Sequence, residues 1–199
     1  MKITAIKQQV KNPERVSVFV DSKYEFSLTL NELLQQKLKN GDELDKADIK
    51  RLKKVSVDGK LRARSMEWLL NRPHSTREFQ DYLYRKKAEP ELIESFIREF
   101  SDKGYLDDHK FGSWFIELQK RRSKSNRALR SELFKKRLDR ELIDKLLASE
   151  ADDETERLKA IIKKKQKQPR YRDDQQKLKQ YLARQGFDYD LINGVLKDS

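Results

Sequence analysis

The apolar residues between Ser75 and Leu106 recur twice more along the chain at the same offsets, and this recurrence limits the fold more than any other feature. Phe79 and Leu83 lie four apart, and the pairs Leu92-Ile93 and Phe96-Ile97 follow, one helical turn from each other. Fifty residues on come Leu129, Leu133, Leu142-Ile143 and Leu146-Leu147; forty-nine beyond those come Leu178, Leu182, Leu191-Ile192 and Val195-Leu196. Spacings of three and four put each set on one face of two short helices. A unit this short cannot bury its own apolar face, so neighbouring units must stack and share a core. The expected fold is mainly α, with three tandem three-helix repeats in an elongated array.

A small strand-rich module of mixed α and β structure precedes the repeats. Val16, Val18 and Val20 alternate with Ser17 and Phe19, which marks Arg15 to Val20 as a strand with unlike faces. Ile3 to Ile6 and Tyr24 to Leu28 complete a three-stranded meander, with turns at Asn12-Pro13 and Asp21-Ser22-Lys23. A helix over Leu30 to Leu38 should stop at Asn40-Gly41, and Asp45 and Asp48 suit the start of the next. Val57-Asp58-Gly59 is the expected boundary and a possible hinge. The domains are therefore 1–58 for the module, then 59–106, 107–149 and 150–199 for the repeats.

Each repeat is expected to hold three helices, the first running from about Lys60 to Asn71. Ser75 and Glu78 have capping-box spacing, and Pro90 suits a helix's first turn. Asp107-Asp108 opens the second repeat, Arg140-Glu141-Leu142-Ile143 repeats the start at Pro90, and Asp152-Asp153-Glu154 opens the third. Asp153 stands 21 residues before Asp174, against 17 from Asp108 to Ser125, so the first helix of the third repeat, or its connection, is longer. His109 beside Asp107 and Asp108 resembles a metal cluster on paper, but adjacent helical residues point apart, and a helix cap is the better reading.

Charge narrows the class of partner. Lys and Arg outnumber Asp and Glu by 46 to 34, a net charge of +12, and residues 1–58 hold only 12 of those bases against 9 acids. The excess belongs mostly to the repeats and suits a polyanion or a protein bound to one. No phosphate-cradling glycine loop or nucleophile elbow occurs, and His74 and His109 are the two histidines, so no enzyme and no cofactor are expected. No apolar run reaches membrane-span length, and no secretory leader pattern opens the chain. Together with the absence of cysteine, this points to the cytoplasm.

Two stretches concentrate the positive charge. Between Leu118 and Arg137, Lys120, Arg121, Arg122, Lys124, Arg127, Arg130, Lys135, Lys136 and Arg137 face Glu132 alone. Between Arg157 and Arg172, Lys163, Lys164, Lys165, Arg170 and Arg172 stand among eight bases with no acid. Both reach the join between first and second helices, so repeats stacked in register would carry a basic ridge for phosphates or an acidic protein groove. The plainer alternative is a solvated helical surface. Trp68 and Trp114 read as core, while Tyr171 between Arg170 and Arg172 stays open as a base platform.

Leu70-Asn-Arg72-Pro-His-Ser75 with Glu78-Phe79, Gly104-Tyr105-Leu106-Asp107-Asp108, Phe111-Gly-Ser-Trp114 and Gly186-Phe187 together resemble the RecX family of regulatory proteins. The likeness spans residues 60–199, and Arg15-Val-Ser-Val-Phe-Val-Asp21 with Phe26-Ser27 looks like an extension found in part of the family. The pattern departs where the family ends its second helix in Lys-Gly: Lys87-Ala88 and Arg137-Leu138 stand there, so those turns are expected to close differently. Relatives with such an extension can carry a further repeat, which makes a shortened chain one expectation. The resemblance implies a negative modulator of the RecA recombinase in DNA repair and homologous recombination. It would bind RecA filaments on single- or double-stranded DNA, stay off membranes and be monomeric when free. The alternative is a plain DNA-binding protein with helix-turn-helix-like units.

Overall fold

The computed structural model describes residues 1–149 and 154–197. The chain divides into two compact units, Met1–Asn71 and Arg72–Ser199.

In the first unit β1 (Ile3–Gln9), β2 (Asn12–Val20) and β3 (Lys23–Thr29) form an antiparallel sheet in sequential order. Val16, Val18 and Val20 are buried, and Ser17 and Phe19 lie half-buried between them. The first turn is Val10-Lys11 rather than Asn12-Pro13, because Asn12 already pairs with Gln9. Asp21 and Ser22 both take positive φ, 48° and 68°, which gives a two-residue hairpin the twist of its strands.

α1 (Leu30–Gln35) starts on a complete capping box between Thr29 and Glu32. α2 (Lys46–Leu70) starts on another, between Asp45 and Asp48, and lays Ile49 and Leu52 against the buried valines with Phe26 and Leu28. The break expected at Val57-Asp58-Gly59 is absent, since α2 runs through it as one helix and the separate helix expected from Lys60 is its second half. Gly59 serves close approach instead of a hinge: a Cβ there would collide with the Glu32 carboxylate, which the α1 cap has already oriented.

The second unit holds α3 (Thr76–Arg85), α4 (Pro90–Asp102), α5 (Asp108–Arg121), α6 (Asn126–Lys135), α7 (Arg140–Ser149), α8 (Glu154–Gln166), α9 (Pro169–Arg172), α10 (Gln175–Arg184) and α11 (Tyr189–Lys197). All of the recurring apolar residues are buried or half-buried. Those of the second repeat lie in one core around Phe111, Ile116, Leu129, Leu133 and Ile143, and those of the third in another around Leu158, Ile162, Leu178, Leu182 and Ile192. In the first repeat Phe79 meets Phe100 edge-on at 5.6 Å between ring centres. The extra length before Asp174 is the short α9, while the acidic opening at Asp152-Asp153 lies outside the described residues.

Helix ends repeat as faithfully as helix faces. At the close of α3 the amide of Lys87 donates to the Tyr84 carbonyl at 2.9 Å, and that of Ala88 donates to Leu83 at 3.2 Å. Arg137 and Leu138 repeat this after α6, and Gly186 and Phe187 after α10. These are Schellman closures, which need a left-handed residue just past the cap. That residue is Lys87, Arg137 or Gly186, with φ of 58°, 57° and 95°. The turns therefore close alike, and the positive φ falls on the bases rather than on Ala88 or Leu138. Holding a side chain in this region costs on the order of 1 kcal/mol.

Candidate functional site

The second helices are joined tail to head within this unit. The amide of Ser125, the N-cap of α6, donates to the carbonyl of Gln185 at the end of α10 at 3.1 Å. Lys136, at the end of α6, donates its Nζ to Glu78 Oε1 near the start of α3 at 2.7 Å. Each first helix also caps the preceding second helix. Asp108 Oδ1 accepts the Thr76 amide at 2.8 Å, and Glu154 Oε1 accepts the Asn126 amide at 2.7 Å. These carboxylates satisfy amides that the first turn of a helix leaves open, and they fix the register between repeats.

Glu78 gathers the densest polar cluster. Besides Lys136 it accepts from Arg72 at 2.9 Å and lies 3.3 Å from Nδ1 of the buried His74, while the Arg72 guanidinium sits 5.1 Å above the Trp114 ring. Burial pushes the Glu78 carboxyl up, but the hydrogen bonds and charges of Lys136 and Arg72 outweigh it and hold it below the ordinary glutamate range. The spacing from Ser75 predicts that Glu78 completes a capping box. Ser75 does cap the Glu78 amide, at 3.1 Å, but the carboxylate turns to the cations. Lys136 is 58 residues away, and no local spacing announces it.

The eleven candidate ridge residues occupy the two equivalent joins. Lys120 and Arg121 end α5, Arg122 and Lys124 form the α5–α6 turn, and Arg127 and Arg130 lie on α6. Lys163, Lys164 and Lys165 end α8, and Arg170 and Arg172 belong to α9. Acids outside the counted windows neutralise part of this charge: Arg121 pairs with Glu117, Arg130 with Asp144, and Arg172 with Asp173 at 2.7 Å. Lys165 lies 4.3 Å above the Tyr181 ring, and Arg170 lies 5.4 Å above Tyr171. Tyr171 itself packs with Tyr181 on the core around Leu158 and Leu182, so cations and core occupy the ring considered as a base platform. Arg122, Lys124, Arg127, Lys163 and Lys164 have no acidic partner among the described residues. Arg127 also lines an open cleft of about 310 Å³ with Ser131, Phe187 and Tyr189.

The two joins are linked at the far end of α8, where Arg157 donates to Asn126 Oδ1 at 2.8 Å. From Glu154 to Lys163 α8 rises about 14 Å at ~1.5 Å per residue, which separates the basic groups along its axis. Trp114 packs on the core around Phe111 and Ile143, and Trp68 is half-buried on α2. Asp107 caps α5 by accepting the amides of His109 and Lys110 at 2.9 and 3.0 Å. Among the described residues no group of three or more potential ligands gathers as for a metal ion, and no helix is long and apolar enough to cross a membrane.

Residues 1–45 match the Regulatory protein RecX N-terminal domain, and residues 152–196 match the third three-helix domain of RecX. Regulatory protein RecX of Bacillus licheniformis is 32% identical over 204 residues, covering 99% of this chain and 77% of that protein. The chain belongs to the RecX family. The RecX protein of Bacillus subtilis is 33% identical over 199 residues, with 98% and 75% covered. The fold also matches solved RecX structures. One described as a crystal structure of regulatory protein RecX superposes over 100% of this chain and 99% of its own, with a TM-score of 0.76 at 23% identity. RecX from Lactobacillus salivarius superposes over 71% of this chain with a TM-score of 0.60 at 20% identity.

Proposed function

We propose that this RecX protein is a negative modulator of RecA that binds RecA filaments on DNA and hinders strand exchange, ATP turnover and co-protease action. In this reading it acts by occupancy and without catalysis or cofactor. It works in the cytoplasm and is monomeric when free. Tandem repeats, taken as 59–106, 107–149 and 150–199, lie along the filament so that several weak contacts act as one strong contact. Cations without an acidic partner among the described residues at equivalent joins, Arg122, Lys124 and Arg127 on one and Lys163 and Lys164 on the next, are the observation that carries the contact to DNA phosphate or acidic filament surface.

Charge reversal at Arg122, Lys124 and Arg127 tests the ridge by co-sedimentation with preformed RecA–DNA filaments. The expected result is loss of most filament binding with the thermal midpoint little changed, because these side chains have no acidic partner among the described residues. Unaltered filament binding would remove the ridge from the account. Tight binding to naked DNA with none to filaments would favour the plain DNA-binding alternative.

A further inference from the structure

The ends of α3 and α6 present the same exposed motif fifty residues apart: Tyr84-Arg85-Lys86-Lys87 and Phe134-Lys135-Lys136-Arg137. Tyr84 is 52% exposed and Phe134 is 44% exposed, and neither ring packs on another aromatic among the described residues. One lysine of each motif is used internally, Lys86 over the Tyr82 ring and Lys136 on Glu78. Arg85, Lys87 and Arg137 have no acidic partner among the described residues, and Lys135 has a weak one at 3.9 Å from Glu132.

Cations at a helix end offset the dipole, but that effect needs neither a bare aromatic nor a base in the left-handed region. Lys87 and Arg137 hold φ of 58° and 57° where the third repeat has Gly186. That glycine is obligatory: a Cβ would lie 2.6 Å from Ser125 Oγ and 2.8 Å from Ala128 Cβ. No such contact constrains Lys87 or Arg137 to be what they are, and glycine would relax both turns. A strained position that keeps a charged side chain suggests that the side chain is used.

We infer that Tyr84 and Phe134 are stacking platforms for single-stranded nucleic acid, with Arg85, Lys87, Lys135 and Arg137 on its phosphates. The inference deepens the reading of DNA-bound filaments as target and rests on it for the choice of nucleic acid. Base faces stack on exposed rings without regard to sequence, and flanking bases track the backbone. A duplex hides those faces, so the surface selects single strands. Because Lys136 ties the end of α6 to the start of α3, the platforms recur on the order of 15 Å apart, the length of ten-residue α3. The third repeat, with Ala183-Arg184-Gln185-Gly186, carries no platform.

The test is fluorescence anisotropy of labelled oligo(dT), and of a duplex, with the full chain. Y84L/F134L keeps apolar bulk and should weaken oligo(dT) binding by at least about fivefold per ring while leaving the duplex affinity unchanged. K87G/R137G should reduce the slope of log K against log salt by about 1.4, for two lost single-strand phosphate contacts, and raise Tm by about 2–4 °C per site. Higher stability with weaker binding is a result that a purely structural role for these bases does not produce. Unchanged oligo(dT) affinity in either variant overturns the inference. So does loss of filament binding at unchanged oligo(dT) affinity, which would make the motifs a protein-docking surface. A wild-type chain that inhibits RecA without binding oligo(dT) overturns the inference alone. Stacking-dependent binding without any effect on RecA would support it while sinking the modulator reading.

Discussion

Replacing Glu78 with glutamine removes the charge that Lys136 and Arg72 share, at 2.7 and 2.9 Å, across the first two repeats. The Glu78 side chain is 17% exposed, whereas those of Lys136 and Arg72 are 35% and 36% exposed and regain water when released. Hydrogen bonds to charged groups contribute about 1.5–3 kcal/mol each, and glutamine can still accept one, so a loss of about 2 kcal/mol is expected. At ~2–4 °C per kcal/mol for a chain of this size, Tm should fall by about 4–8 °C in a melt at neutral pH. The pH dependence supplies a second, independent arm. The folded carboxyl is held below its unfolded value, so its contribution is fully present above the unfolded pKa, about 4.3, and is lost as pH falls through the folded one. The Tm gap between wild type and E78Q should therefore stay constant from neutral pH to mildly acidic pH and narrow below about 4.3. In K136M the E78Q effect should shrink, as coupled neighbours require. A Tm within about 1 °C of wild type at neutral pH would refute the reasoning; so would a gap that does not narrow in acid.

Two further substitutions probe the joints. Gly186→Ala combines positive φ with contacts at 2.6 and 2.8 Å to Ser125 and Ala128, so it should cost about 2–3 kcal/mol by urea titration; a loss under about 0.5 kcal/mol would contradict that packing. Asp108→Ala leaves the Thr76 amide without its 2.8 Å acceptor and should cost about 1–2 kcal/mol, with faster hydrogen exchange at that amide. Unchanged exchange there would show that the tie between repeats is not made.

The cores were legible because burial in short helices leaves a period, and Phe79, Leu129 and Leu178 occupy the same offset in three successive units. The acid–base pairs between elements leave none. Arg130 looks unopposed along the chain but meets Asp144 from α7, and Arg172 is neutralised by an acid one residue beyond the counted window. Val57-Asp58-Gly59 reads locally as a breaker, yet α2 continues because its apolar face is paired with the sheet and Gly59 clears Glu32. At the helix ends composition misled for a related reason. Lysine and arginine are poor left-handed residues by propensity, and only the Schellman hydrogen bonds at Lys87 and Arg137 reveal that they adopt that conformation. Of the candidate ridge, the positions at the joins were readable, but their residual charge was not, since it depends on partners from neighbouring turns and helices.

The measurement that bears most directly on the account is RecA's DNA-dependent ATP hydrolysis on preformed filaments, titrated with this protein from well below one molecule per RecA subunit. Modulation by occupancy predicts inhibition at those low ratios. Full hydrolysis until the protein is abundant enough to saturate free DNA would contradict it and leave competition for phosphates as the explanation.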